Sequence, residues 1–213
     1  MTVASPAETL GTSLLMAAGG LRVARVLGDR ACAALAAEAR RCHAAAATEG
    51  RLDVSPDEEL RRGNPARWLE SAPGGPALDA LYTAPVLHGW IRRLTGLHWV
   101  PSGGQGTYSY YRREGHFLGV HRDVDECDIA VITCLEETGA PRLGRAGSLS
   151  LWPGRGGEPL AAIRADPEPG RITVRLKPGE SIVLLGGLVP HALEPLAAGH
   201  VRAVSPLCFR AAW

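Results

Sequence analysis

The sequence predicts a mainly β chain of the α+β type: a double-stranded β-helix (jelly roll) core with N-terminal helices packed outside one sheet. Two observations carry this prediction. Up to about residue 96 the apolar residues recur at helical spacing, and beyond it the chain breaks into about ten short extended runs separated by Gly and Pro. A third sets the scale: 213 residues with 46% hydrophobic content can fill one well-cored domain. The expected organisation is therefore one domain over 1–213, with helical support over about 21–96 and the jelly-roll core over about 97–210.

Residues 1–20 are small, polar and end in glycine, and nothing in them demands structure. Residues 21–27 alternate loosely and read as a strand. Asp29 then serves as N-cap for a helix running to about Thr48, with Gly50 as its stop. Cys32, Leu35, Ala36, Ala39, Cys42 and Ala46 form its apolar stripe, and His43 reads as a surface residue. Residues 51–76 are charged and rich in Gly and Pro, predicting a loop with short helical pieces near 57–62. Two more helices are expected over 77–82 and 84–94, the second burying Val86, Trp90, Ile91 and Leu94 and ending at Gly96. The predicted strands are 98–100, 106–112, 119–123, 127–136, 147–152, 160–165, 171–176, 181–185, 189–193 and 201–209.

Composition removes several function classes. With 23 basic and 22 acidic residues the formal net charge is +1, so neither nucleic acid nor a membrane surface is an expected partner. Lys177 is the one lysine in a basic complement that is otherwise arginine. Five cysteines, Cys32, Cys42, Cys127, Cys134 and Cys208, are odd in number and contain no C-x-x-C pair. This reads as a reducing compartment rather than a disulfide framework or a zinc knuckle. The apolar run from Leu14 to Ala18 is too short for a signal core or a membrane span, so the chain reads as cytoplasmic.

The chemistry centres on His121-Arg122-Asp123. In an extended segment side chains two apart leave the same face, so His121 and Asp123 converge while Arg122 faces away. His191, following Gly186-Gly187-Leu188-Val189-Pro190, offers a third ligand. Two imidazoles and one carboxylate on one face of an octahedral ion leave three open positions, which suits non-haem Fe(II) handling a co-substrate and O2. Arg202 follows on the next strand. A hairpin turning at Leu196-Ala197 would set His191 opposite Arg202 on one face, and a one-residue slip would part them. Its planar fork suits a carboxylate presented bidentately. A dicarboxylic keto acid meets both demands, chelating the metal at one end and reaching Arg202 with the other.

These segments resemble the Fe(II)/2-oxoglutarate-dependent dioxygenases. The likeness lies in Tyr111-Arg-Arg-Glu-Gly115 running into His121-Arg-Asp123, in Gly147-Ser-Leu-Ser-Leu-Trp152, and in Pro178-Gly-Glu-Ser-Ile-Val-Leu-Leu185 followed by His191 and Arg202. Within that superfamily the pattern is similar to the prolyl-hydroxylase-like branch, over roughly residues 108–209. The resemblance implies Fe(II) held by His121, Asp123 and His191, 2-oxoglutarate as co-substrate bound through Arg202, Tyr111 helping to orient 2-oxoglutarate or substrate, O2, and ascorbate as a stimulant. It implies hydroxylation of an unactivated C–H bond in a small molecule, amino acid or peptide. The chain departs from relatives in having Val204 where a Ser can share the carboxylate, with Ser205 facing the other way, in Gly147-Ser148, and in Cys134 near the place of a Tyr.

Other readings of single residues stand beside these. His116 is a candidate fourth ligand, and Trp152, Arg112, Arg113 and Arg142 are candidate substrate-side residues. Asp125, Glu126 and Asp128 lack the alternation and central glycine of a calcium loop and read as a solvated turn. A cupin-like metal-binding sensor or binding barrel without oxygenase activity, and a metal-dependent hydrolase or isomerase, would use the same residues. The carboxylate of Asp123 speaks against halogen delivery, which needs that position free.

Overall fold

A computed structural model describes residues 6–53, 61, 65–102 and 105–212. Its framework is one large, curled antiparallel sheet with a few helices outside it, a mainly β jelly-roll architecture. Among the described residues the strands run along the sheet in the order β1 (Leu21–Ala24), β10 (Ser181–Leu184), β7 (Ile129–Thr138), β12 (Val201–Ala211), β5 (Thr107–Tyr111), β3 (Arg67–Pro73), β6 (Phe117–His121), β11 (His191–Leu193), β8 (Leu149–Leu151) and β9 (Ile172–Val174). Two more lie off this path: β2 (Ala47–Arg51) pairs with β3, and β4 (Trp99–Pro101) pairs with β12.

β7 and β12 are the long central strands, paired from Val201↔Thr138 to Phe209↔Ile129 with a bulge between Ala203 and Val204. Alternation on β5 shows how the sheet divides its two faces. Tyr108 and Tyr110 point outward and donate hydrogen bonds to Glu38 Oε1 and Ala39 O, both at 2.7 Å. Ser109 and Tyr111 point inward, to the cavity. The period of two thus ties helix α3 (Asp29–Cys42) to one face and leaves the other for the site.

Helix α3 in turn starts its neighbour. Glu38, 4% exposed, accepts from the backbone N–H groups of Gly75, Ala77 and Leu78 and from the Tyr108 hydroxyl. Those N–H groups open α4 (Pro76–Tyr82) and have no partners within their own helix. Glu38 therefore caps α4 from another element. Helix α5 (Pro85–Thr95) buries Leu87, Trp90 and Ile91 and ends at Gly96, whose φ of +75° closes the last turn.

Several expectations are corrected. Residues 1–20 contain α1 (Pro6–Gly11) and α2 (Leu14–Ala17), the latter capped by Ser13, with Leu15 wholly buried. Helix α3 stops at Cys42, with Gly28 rather than Asp29 at its N-cap, and Gly50 lies within β2. Val86 is 54% exposed, and Leu87 takes the buried position. The expected loop over 51–76 contributes β3, which opens on the charged Arg67 and buries Leu69, Glu70 and Ala72. The helical pieces expected near 57–62 lie outside the described residues apart from Arg61. Residues 160–165 form helix α6, not a strand. Its alanines favour helix, and Leu160 and Ile163, one turn apart, are both buried against Trp152 and Ala192.

The cysteine reading is also corrected. Cys127 and Cys208 form a disulfide with Cα atoms 4.9 Å apart, joining residues 81 positions distant. Spacing in the sequence gives no sign of it, because the pair is made by the alignment of β7 with β12, where Ala130 lies opposite Cys208. Cys32, Cys42 and Cys134 remain free. With a disulfide in the fold, the odd count no longer argues for a reducing compartment. Among the described residues no helix is long and apolar enough to cross a membrane.

Candidate metal and co-substrate site

His121 ends β6 and His191 opens β11, and the two are direct cross-strand partners. Side chains so paired share a face, and the rings lie with centroids 4.2 Å apart. Asp123 follows two residues beyond β6, where its N–H donates to Gly186 O at 2.9 Å and extends the pairing. Its carboxylate turns in, Oδ1 lying 3.6 Å from His121 Nε2 and 3.7 Å from His191 Nε2. These separations are too long for hydrogen bonds and short enough for one ion to touch all three. The three residues form a group that could hold a metal ion.

The outer nitrogen of each ring is fixed. Nδ1 of His121 lies 2.9 Å from Gly119 O, and Nδ1 of His191 lies 2.9 Å from Val189 O. A carbonyl can only accept, so each Nδ1 carries a proton and each ring is held with Nε2 turned toward Asp123. Burial, and then the neighbouring His121, push the His191 imidazole down to about 4, against the pull of Asp123 and the Val189 carbonyl. Burial would raise the Asp123 carboxyl, but His191, His121 and Arg61 outweigh it and hold it below the ordinary carboxylate range. Asp123 Oδ2 is buried without a hydrogen-bond partner. Two imidazoles beside a carboxylate with an open acceptor make a donor set that suits a divalent cation.

Arg122 projects the other way, as alternation demands, and donates to Gly156 O and Glu158 O. Arg61 lies over the loop beyond the ligand. It donates to Asp123 O at 2.7 Å, Val124 O at 2.8 Å and Cys127 O at 3.0 Å, and it pairs with Asp128 at 3.3 Å.

The same cavity is lined by the three candidate ligands together with Tyr111 and Arg202. Its remaining wall is largely apolar, with Leu118, Ile132, Leu149, Leu193, Val204 and Pro206. Tyr111, Arg202 and Glu137 lie in one row across β5, β12 and β7. Arg202 is wholly buried and donates from Nη1 to Glu137 Oε2 at 2.7 Å. Its Nε and Nη2 have no partner. Burial drives the Tyr111 phenol upward although Arg202 pulls it down, so it stays a neutral donor.

Arg202 and His191 reach this cavity by a route other than the expected hairpin. β11 pairs with β6 and β8, while β12 pairs with β4, β5 and β7. The residues between them carry the chain from one part of the curled sheet to another, so the two side chains converge across the cavity. Val204 lines the wall and Ser205 faces away, its hydroxyl buried without a partner.

His116 is no part of the cluster. It is wholly buried against Trp68, and its Nδ1 accepts from Arg112 N at 3.2 Å. Trp152 is also buried, donating to Pro167 O at 2.8 Å, with Arg171 over its ring. Arg112 and Arg113 pair with Glu136 and Glu70 rather than entering the cavity. Glu137 and His200 escaped the sequence reading. The one available signal was that His200 lies two residues before Arg202 on the approach to the same strand.

No known family signature and no curated protein matches this chain. Solved structures do. A prolyl-4-hydroxylase from Pseudomonas putida is 22% identical over 93% of this chain and 96% of its own, with a TM-score of 0.60. The epimerase SnoN from nogalamycin biosynthesis, solved with Fe3+, alpha ketoglutarate and nogalamycin RO, is 17% identical over 96% and 84%, with a TM-score of 0.67. HygX from Streptomyces hygroscopicus, solved with nickel, 2-oxoglutarate and hygromycin B, is 15% identical over 89% and 82%, with a TM-score of 0.57. The chain has the fold of the 2-oxoglutarate–Fe(II) oxygenases, prolyl hydroxylases among them.

Proposed function

We propose that residues 1–213 form a single Fe(II)- and 2-oxoglutarate-dependent oxygenase domain that hydroxylates an unactivated C–H bond of a small molecule, amino acid or peptide. The observation that carries this reading is that His121 Nε2, His191 Nε2 and Asp123 Oδ1 converge in a cavity also lined by buried Arg202, whose Nε and Nη2 have no hydrogen-bond partner. Iron and 2-oxoglutarate bound to SnoN, and 2-oxoglutarate bound to HygX, support the same pair of cofactors here.

In this scheme His121, Asp123 and His191 would hold Fe(II), and the fixed ring orientations keep both Nε2 atoms and Asp123 Oδ1 turned to the ion. Bound iron supplies the oxidising chemistry, with O2 and 2-oxoglutarate consumed and succinate, CO2 and hydroxylated product released, and ascorbate serving as a stimulant. Arg202 takes the far carboxylate of the keto acid through its free edge. Tyr111, held neutral, donates from the adjacent strand and helps to orient the co-substrate. The apolar wall from Leu118 to Pro206 keeps bulk water away from the reacting atoms. Hydrocarbon lining of this kind favours a substrate that inserts an apolar portion.

A second outcome on the same site, removal and return of hydrogen at a carbon while ascorbate supplies the two electrons that reduce the oxygen atom not inserted to water, is favoured by the likeness to the epimerase SnoN. Succinate release over a panel of amino acids, peptides and natural-product precursors tests the proposal. Oxygen from 18O2 in the product identifies hydroxylation, and solvent deuterium at carbon identifies epimerisation. No succinate under any condition, with Fe(II) and 2-oxoglutarate bound, would leave a metal-binding sensor barrel as the reading.

A further inference from the structure

The guanidinium of Arg202 can meet a carboxylate along more than one edge, and one of these edges is wholly without a partner in the structure. Nη1 lies on the side of Cδ, so Nε–H and one Nη2–H run parallel along the opposite edge and form a fork for two oxygens. Glu137 Oε2 accepts from Nη1 at 2.7 Å, and the two nitrogens with no partner at all, Nε and Nη2, are the pair that makes that fork.

Glu137 is itself held. Its Oε1 lies 3.1 Å from His200 Nε2 and 3.9 Å from Arg175 Nη1. Arg175 is anchored by Pro141 O at 3.3 Å, Ala146 O at 2.9 Å and Ser148 Oγ at 3.0 Å. His200 lies against Gly147, where a β-carbon would overlap the ring, and the φ of +70° there is open chiefly to glycine. The side chains of Arg202 and His200 are fully buried and that of Glu137 is 8% exposed. Two guanidiniums face one carboxylate, so the cluster is left cationic toward the cavity. Repulsion by Glu137 is therefore offset, and its contribution to an incoming anion is placement.

We infer that Glu137 is a positioning residue that sets the edge of Arg202 facing the cavity, and thereby the length of dicarboxylic keto acid that can span from the metal to that edge. This rests on the reading of the site proposed above. A guanidinium released from Glu137 can turn its Nη1–Nη2 end toward the ligand, which moves the docking point and accepts acids of other lengths.

The test is anaerobic calorimetry on the Mn(II)-loaded protein with oxaloacetate, 2-oxoglutarate and 2-oxoadipate, which differ by one methylene each. Wild type is expected to prefer one length by tenfold or more in Kd. Glu137→Leu is expected to weaken that acid about tenfold and to reduce the preference to less than threefold, while Mn(II) binds as in wild type. Glu137→Gln, which keeps an acceptor oxygen without the charge, is expected to recover most of the preference. If the Leu variant does not fold by circular dichroism, Glu137→Asp, which withdraws the carboxylate by one methylene, is expected to relax the preference in the same direction. A folded Leu or Asp variant with wild-type Kd values and preference overturns the inference, as does a Gln variant no better than Leu. Arg202→Ala separates the two levels. If it binds 2-oxoglutarate as wild type does, the underlying site reading fails; if it loses the acid while the Glu137 variants keep both affinity and preference, only the role of Glu137 fails.

Discussion

The carboxylate of Asp123 occupies the space that a side chain on Gly186 would need: a β-carbon built there would overlap Asp123 Oδ2. The same glycine accepts the Asp123 N–H through its carbonyl, so one residue fixes both the backbone and the carboxylate of the candidate ligand. Gly186→Ala is expected to push Oδ1 away from the two Nε2 atoms and to weaken Mn(II) or Fe(II) binding about 10–100-fold, the range seen when residues that orient metal ligands are changed. Calorimetric titration of metal into folded protein checks this. Unchanged affinity would remove Asp123 from the ligand set.

Arg61 should matter for the same site from the opposite side. Its guanidinium donates to the carbonyls of Asp123, Val124 and Cys127, and it lies where a side chain on Gly187 would reach. Arg61→Ala leaves those carbonyls and Asp128 without this partner and frees the loop that carries the carboxylate. About tenfold weaker metal binding is expected, with little change in melting temperature for the metal-free protein. An affinity equal to wild type would reduce Arg61 to a surface ion pair.

The candidate ligands were legible because their geometry is local. His121 and Asp123 share a face by the period of the chain alone, and His191 needed only a strand in register with β6. Arg202 was legible as a residue type and wrongly placed, since its hairpin with β11 does not exist and the curl of the sheet brings the two strands together. Three other features depend on tertiary alignment that a single chain does not display. The charged residues of β2 and β3 find partners across the sheet, as Glu49 does in Arg67 at 2.8 Å. The pairing of Cys127 with Cys208 follows from the register of β7 and β12. Glu137 is chemically one more strand-end glutamate until Arg202 is set opposite it.

That disulfide gives a measurable stability term. It closes a long loop in the unfolded chain and ties the loop after Asp123 to β12 beside the cavity. Cys127→Ser is expected to lower unfolding stability by about 2–4 kcal/mol, read as a fall in the urea midpoint, and reductant should bring wild type to the same midpoint. Wild type with five titratable thiols and a midpoint indifferent to reductant would contradict the bond.

Glu38 predicts a pH dependence whose sign is fixed by its surroundings. Burial alone would raise its carboxyl, but the N–H groups of Ala77, Leu78 and Gly75 and the Tyr108 hydroxyl outweigh burial and lower it. A carboxyl lowered on folding contributes stability that is fully present above its unfolded value, and that is lost as pH falls through the folded one. Glu38→Gln keeps the size but offers one acceptor oxygen where two served, and it should cost about 1–3 kcal/mol at pH 7. The gap between wild type and variant should hold down to the ordinary glutamate range and close below it, as the wild-type carboxyl takes up its proton. Urea midpoints for both proteins from pH 7 down to pH 3 provide the check. A gap that widens on acidification would mean that the Glu38 carboxylate is not what holds the start of α4.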